Sequence, residues 1–269
     1  MDTHLPIAMM ATSAQPSEEE SRPLYSFSPV ELASAVVQTS NLSADLSPRQ
    51  QDTLATLKMK IDALETKYGK EGLFENEDIL RTYATIFDDL FFFGSLISPG
   101  QNRIIIKSID KYYAHDIHPR MGESVHIRSR GICEISIWRL NEDGQLGYRN
   151  LSAMTLLHEM VHAFLMLYAC GPCNKSWDGG GVTGHGQAWL DIMSILPIEL
   201  VQHGVLDSSV FEFLDLESDL AAELIDSKRE IPDETTLEGW GLNRKRLEKE
   251  MMEYQVFLAE LGERGVILP

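Results

Sequence analysis

A chain of 269 residues with 43% hydrophobic composition can form one domain with extensions or two small domains, and its formal charge of −18 disfavours nucleic-acid binding by the chain as a whole. No run approaches the ~18 uncharged apolar residues that a membrane span needs, and residues 1–15 lack the basic start of a secretory signal. Three cysteines, an odd number, suit a reducing compartment better than a disulfide framework, so an intracellular protein of the nucleus or cytoplasm is expected.

Residues 1–48 are rich in Ser, Pro, Ala and Glu and read as a disordered arm. Within them, Ser28-Pro29 before Val30-Glu31-Leu32-Ala33 is a helix-start signal. Ser47-Pro48 repeats it. Residues 49–76 follow as an amphipathic helix with Leu54, Leu57, Ile61 and Leu64 on one face, stopped at Gly69. A second helix is expected over 76–93, with Ile79, Leu80, Tyr83, Ile86, Phe87 and Leu90 in register, ended by Gly94, Pro99 and Gly100. Phe91-Phe92-Phe93 reads as core.

Three strand candidates come next, at 103–107, 124–128 and 132–138. The last two alternate apolar with polar residues, and Gly131 permits a turn between them. A small antiparallel sheet is expected, with one strand edge free to pair with extended substrate backbone. Residues 101–140 also hold seven basic against four acidic residues, among them Arg120, Arg128, Arg130 and Arg139, with His115, His118 and His126 interleaved. They form the one polyanion-facing candidate in an acidic chain; a solvated sheet face is the simpler reading of them.

The central signal is Thr155-Leu156-Leu157-His158-Glu159-Met160-Val161-His162-Ala163-Phe164-Leu165, an H-E-x-x-H pattern in an apolar helix. Residues i and i+4 share one helix face, so His158 and His162 can present two imidazoles to one cation, Zn²⁺ being the natural guest. Glu159 lies about 100° round the helix, placed to act as general base on a water held by the metal. In an apolar helix these polar side chains are costly unless each is partnered.

The third ligand decides the class. Leu165 and Tyr168 stand where a metzincin would have Gly and His. Glu199 is available as a carboxylate ligand, but His185, between Gly184 and Gly186 and just ahead of a helix beginning at Gln187, is the better candidate. Between them runs Cys170-Gly171-Pro172-Cys173, which invites a zinc-knuckle or redox reading. One pair cannot close a tetrahedral site, so two free thiols are expected, with His185 or Asp178 as the residues that could complete a second site. The glycines of 179–181 suggest a mobile flap. Asp178 and Asp191 are candidates to orient ligand imidazoles, and Tyr148, His126 and Tyr168 to stabilise an oxyanion.

Residues 207–269 carry 16 acidic against 7 basic residues and read as an acidic helical extension, with amphipathic helices at 210–229 and 243–261 and Trp240 between. Residues 77–206 form the expected catalytic domain.

The motifs L-L-H-E-M-V-H-A-F (156–164), G-H-G-x-x-W (184–189) and I-F-D-D-L-F-F-F-G-S-L (86–96), with the strand I-C-E-I-S-I (132–137), together resemble the SprT-like (Spartan-type) zinc metallopeptidases over about 78–200. The resemblance implies an α+β, zincin-like domain, His158, His162 and His185 as zinc ligands, Glu159 as catalytic base, and a protein substrate that is associated with or crosslinked to DNA. The chain departs from the best-known relatives in having no C-terminal four-cysteine zinc ribbon. A different class also accommodates the motif: a zinc-stabilised, non-catalytic module that recruits a partner through its C-terminal helices.

Overall fold

The computed structural model describes residues 27–43, 46–68, 77–97, 102–109, 121–138, 149–212 and 214–263. The expected arm over 1–26, the helix stops at Gly69, Pro99 and Gly100, and Arg120, Arg139, His115, His118 and Tyr148 lie outside them. No helix among the described residues is long and apolar enough to cross a membrane.

The fold is α+β and mostly helical. Helix α1 (Pro29–Ser40) starts as its sequence requires: Ser28 Oγ accepts from Glu31 N at 3.1 Å while Glu31 Oε2 accepts from Ser28 N at 2.9 Å, a reciprocal capping box. Leu32, Ala33 and Val36 on its inner face are buried in the main core, as is Leu42 beyond it. Folded structure therefore begins well before residue 48, the end assigned to the arm from composition. The apolar stripe of this short helix outweighs the polar residues around it.

Helices α2 (Pro48–Tyr68) and α3 (Glu77–Phe91) pack on one another, and Gln50 links three segments by donating to Thr39 O and Leu90 O at 2.8 and 2.7 Å. Helix α3 buries Ile79, Leu80, Tyr83, Ile86, Phe87 and Leu90, the face that the 3.6-residue period selects. Phe91 and Phe92 are fully buried, and Phe92 packs on Phe164 with ring centroids 5.3 Å apart.

Asp88 organises the turn that follows α3. Its carboxylate accepts from Leu96 N at 3.1 Å and Ile97 N at 2.7 Å. Burial pushes its carboxyl up to about 7, against the lowering effect of those hydrogen bonds. A carboxyl raised in the folded state favours the fold most when protonated, so this contribution falls as pH rises from about 4 towards 7. Asp88→Asn is expected to flatten the wild type's decline over that window by roughly 2–4 kcal/mol. Urea unfolding of both proteins from pH 4 to 8 checks this, and parallel stability profiles would refute it.

Strands β1 (Ile104–Ile109), β2 (Gly122–Ile127) and β3 (Ile132–Trp138) form one sheet in the order β1-β3-β2. The sheet is mixed rather than antiparallel as expected: β2 pairs antiparallel to β3, with Gly122 opposite Ile137, but β1 runs parallel to β3, with Ile104 opposite Cys133. The hairpin-like β2–β3 pair turns at Gly131, which is left-handed at φ 60°. Parallel pairing needs the chain to return to its starting side between paired strands, and no local pattern records that choice. Being central, β3 is buried almost throughout, which explains its denser apolar content.

Helix α4 (Arg149–Tyr168) crosses β2 and β3. Short helices α5 (Gly171–Asn174), α6 (Gln187–Met193) and α7 (Leu196–Gln202) follow. Leu216–Ser227 forms α8, Glu234–Gly239 α9 and Arg244–Glu263 α10, with a 3-10 turn at Ser208–Glu212 where a continuous helix from 210 was expected. Leu216, Leu220, Ala221, Leu224, Leu237, Trp240 and Leu247 join the same core as α4, so the acidic extension is an integral part of the fold.

Candidate metal centre

Residues 152–169 are apolar apart from Ser152, Thr155 and the motif's own side chains, and α4 is sunk between the sheet and the helices α3 and α6; Leu156, Leu157, Met160, Val161, Ala163 and Phe164 are completely or almost completely buried. One turn apart on this helix, His158 and His162 bring their Nε2 atoms to 3.0 Å. The loop before α6 adds His185, whose Nε2 lies 3.2 Å from His158 Nε2. The ring centroids stand 4.8, 5.1 and 5.0 Å apart, a nearly equilateral triangle. The cluster meets the distance requirement for a shared metal ion.

The donor set fits a cation. Three ligands at the Zn–N distance of ~2.0–2.1 Å in a tetrahedral site have nitrogens roughly 3.3–3.4 Å apart, only slightly wider than those seen here. Convergent ring nitrogens cannot all satisfy one another, because each lone pair accepts one good N–H donor. Burial holds His158 and His185 down to about 4 and His162 well below its ordinary value, so all three are neutral and carry lone pairs at neutral pH.

The tautomer of His185 follows from its neighbours. Thr183 Oγ1 donates to Glu223 Oε2 at 2.7 Å, leaving its oxygen to accept from His185 Nδ1 at 3.2 Å. With the proton on Nδ1, Nε2 is the free donor atom. Glu223 also accepts from Val182 N at 2.7 Å through Oε1 and from Thr183 N at 2.7 Å through Oε2. This carboxylate, 0% exposed, thus anchors the ligand loop from helix α8. Asp219, one turn earlier on α8, brings Oδ1 to 3.8 Å from His185 Nε2, and burial raises its carboxyl to about 6.

Neither acidic residue stood out in the sequence. Both sit in an ordinary-looking acidic helix, and only their i, i+4 spacing on α8 sets them on one face.

Trp189, fully buried on α6, forms the floor of the cluster. It stacks on His162 at 5.6 Å and meets His158 and His185 edge to face at 4.7 and 4.5 Å. Gly184 has φ +102° and lies so close to His162 that a Cβ there would sit 2.9 Å from Cε1. The glycines around His185 therefore serve close backbone packing. Gly180 N donates to Asn174 O, Gly186 N to Gly180 O and Gln187 N to Trp177 O, so the glycine-rich stretch is tied through its own backbone.

Glu159 is buried, 6% exposed, on the same helix, beside the first residue of β2. A Cβ on Gly122 would lie 3.1 Å from Glu159 Cγ and 2.7 Å from Thr155 Cγ2, so only glycine lets the strand approach the carboxylate-bearing face so closely.

Other sequence candidates fall elsewhere. Glu199 accepts from Leu42 N at 3.0 Å and lies 3.8 Å from His203 Nε2, so it ties α7 to the end of α1. Asp191 accepts from Trp240 Nε1 at 2.7 Å, Asp178 is exposed, and Tyr168 donates to Ser95 O at 2.7 Å. Each is committed to another contact or to solvent. Arg128 and Arg130 are exposed in a 3-10 turn between β2 and β3. Cys170 and Cys173 form a disulfide, correcting the expectation of two free thiols: α5 folds the C-x-x-C segment into one turn and brings the sulfurs together. Cys133 is free and buried, its thiol pushed up to about 12 by burial. Comparison with protein-family models, with curated proteins and with solved structures found no match to this chain.

Proposed function

We propose that this protein is a zinc-dependent endopeptidase of the SprT-like kind, with His158, His162 and His185 holding the metal and Glu159 acting as general base. The observation that carries the reading is the convergence of three neutral imidazoles at 3.0 and 3.2 Å beside a buried glutamate on the same helix. The order of the motifs along the chain, which resembles that family, supports it as well. A bound zinc ion would acidify a coordinated water and polarise the scissile carbonyl.

The chain's own groups do the rest. Glu159 takes the proton of the attacking water and delivers it to the leaving amine. Thr183 and Glu223 hold His185 in the tautomer that exposes Nε2. Among the described residues strand β2 is an edge of the sheet, so extended substrate backbone can add to it beside Glu159. Gly122→Ala is expected to displace the Thr155–Glu159 face, lowering kcat by roughly 10- to 100-fold while zinc content stays at wild-type level. Steady-state kinetics with metal analysis tests this; unchanged kcat would dissociate β2 from catalysis.

The alternative of a non-catalytic zinc module needs a fourth protein ligand to close the site. A thiolate such as that of Cys170 would serve as one, but Cys170 is bonded to Cys173, which favours the open, catalytic reading. For substrate we infer proteins bound or crosslinked to DNA, on the family resemblance and the exposed Arg128 and Arg130. Cleavage of a protein–DNA crosslink by wild type, compared with Glu159→Gln, with and without single-stranded DNA, tests both parts. Cleavage by wild type alone, enhanced by DNA, is expected. Cleavage indifferent to DNA would leave a peptidase with another target, and none from zinc-loaded protein would refute the enzyme reading.

A further inference from the structure

We propose that the Cys170–Cys173 disulfide is a thiol–disulfide exchange site, taking a dithiol as its reductant, whose state sets the hold of the His185 loop on the metal centre. The inference rests on the reading of the three histidines as that centre. It begins where α4 ends: Ala169 pairs with Phe27, Cys170 N donates to Phe27 O at 3.0 Å, and the chain enters the disulfide-closed turn. Cys170 and Cys173 are half-buried and the Gly171-Pro172 tip between them is exposed, so a small or protein dithiol can reach the sulfurs. Cys133, the third cysteine, is enclosed in the core and takes no part.

From the disulfide turn a short chain of hydrogen bonds runs to the ligand. Cys173 O accepts from Ser176 N at 3.1 Å and from Ser176 Oγ at 2.6 Å. Ser176 O accepts from Gly179 N and Gly181 N at 2.9 and 3.0 Å. Asn174 O accepts from Gly180 N at 2.8 Å, and Gly180 O accepts from Gly186 N, next to His185, at 2.7 Å. The cross-link fixes the Cys173 and Asn174 carbonyls from which the loop hangs. Glu223 pins the loop's other side and Trp177 within it packs on Trp240, so among these holds the Cys170–Cys173 bond is the covalent and reducible one.

The exchange balances without further reagents. A thiolate of the dithiol attacks one cysteine sulfur, breaking the Cys170–Cys173 bond and forming a mixed disulfide. The second thiol then displaces the other cysteine. Two electrons and two protons pass to Cys170 and Cys173, and the dithiol becomes a disulfide. In the reduced state the turn is held only by hydrogen bonds, and the Nε2 of His185 loses part of its preorganisation.

The test uses the full chain in three forms: oxidised, reduced by a dithiol that is then removed, and Cys170→Ser/Cys173→Ser. Thiol counting after denaturation is expected to find one thiol in the oxidised form and three after native reduction, of the three cysteines in the chain. Zinc affinity, read by competition with a chromophoric chelator, is expected to be about 10-fold or more weaker in the reduced protein and in the double variant. Resistance of the disulfide to native reduction would overturn the exchange site. Equal zinc affinity in oxidised and reduced wild type would overturn the coupling while leaving the metal centre standing, and this comparison serves even if the double variant does not fold. Absence of zinc binding in every form would refute the metal centre, and this inference with it.

Discussion

Glu159→Gln is expected to abolish peptide hydrolysis, by roughly 10²–10⁴-fold in kcat, while the protein still binds zinc. The amide keeps the shape of the buried side chain but cannot take a proton from the attacking water. His162→Ala is expected to lose both zinc and cleavage, because it removes one corner of the imidazole triangle and leaves a void beside the stacked Trp189 ring. Two measurements separate the roles: metal content after dialysis, and cleavage of an unstructured protein at saturating zinc. Cleavage by Glu159→Gln at the wild-type rate would show that another group is the base. Asp219, the carboxylate near His185, would then be the first to change.

Glu223→Ala is expected to be the most damaging substitution outside the HExxH helix. It removes the acceptor for Val182 N, Thr183 N and Thr183 Oγ1 at once, all three at 2.7 Å. Hydrogen bonds to a charged acceptor contribute ~1.5–3 kcal/mol each, and groups left buried without a partner cost more than groups never paired. Because the three bonds share one carboxylate they do not add, and a loss of roughly 3–5 kcal/mol in unfolding free energy is expected. Zinc affinity should fall as well, by roughly 10–100-fold, because Thr183 no longer fixes the tautomer of His185. Urea unfolding of the metal-free protein isolates the first effect, and chelator competition the second. An unchanged zinc affinity in a folded Glu223→Ala protein would show that His185 needs no support from α8. Glu223→Gln, which retains an acceptor, should lie between the two.

Glu159→Gln and Glu223→Ala mark the two ranges over which the candidate site was legible. His158, Glu159 and His162 were readable because one helix turn is a local rule: spacing four along an apolar helix places both rings on one face whatever surrounds them. His185 was readable from its flanking glycines, since backbone packed against an imidazole leaves a mark on composition. The helix-start signal at Ser28-Pro29 was equally local, and the capping box is there.

What tertiary structure alone decided was everything joined across distance. Glu223 lies 40 and 41 residues from the loop it anchors, in a helix whose acidic content looks like an ordinary solvated face. Burial turned it from a surface charge into an anchor. The parallel pairing of β1 with β3 and the inclusion of α1 and α8 in the main core depend on where the chain returns. A short-range pattern records which face of an element is apolar. It does not record which partner that face meets, because many partners satisfy the same hydrophobic stripe and only packing of the whole chain selects one.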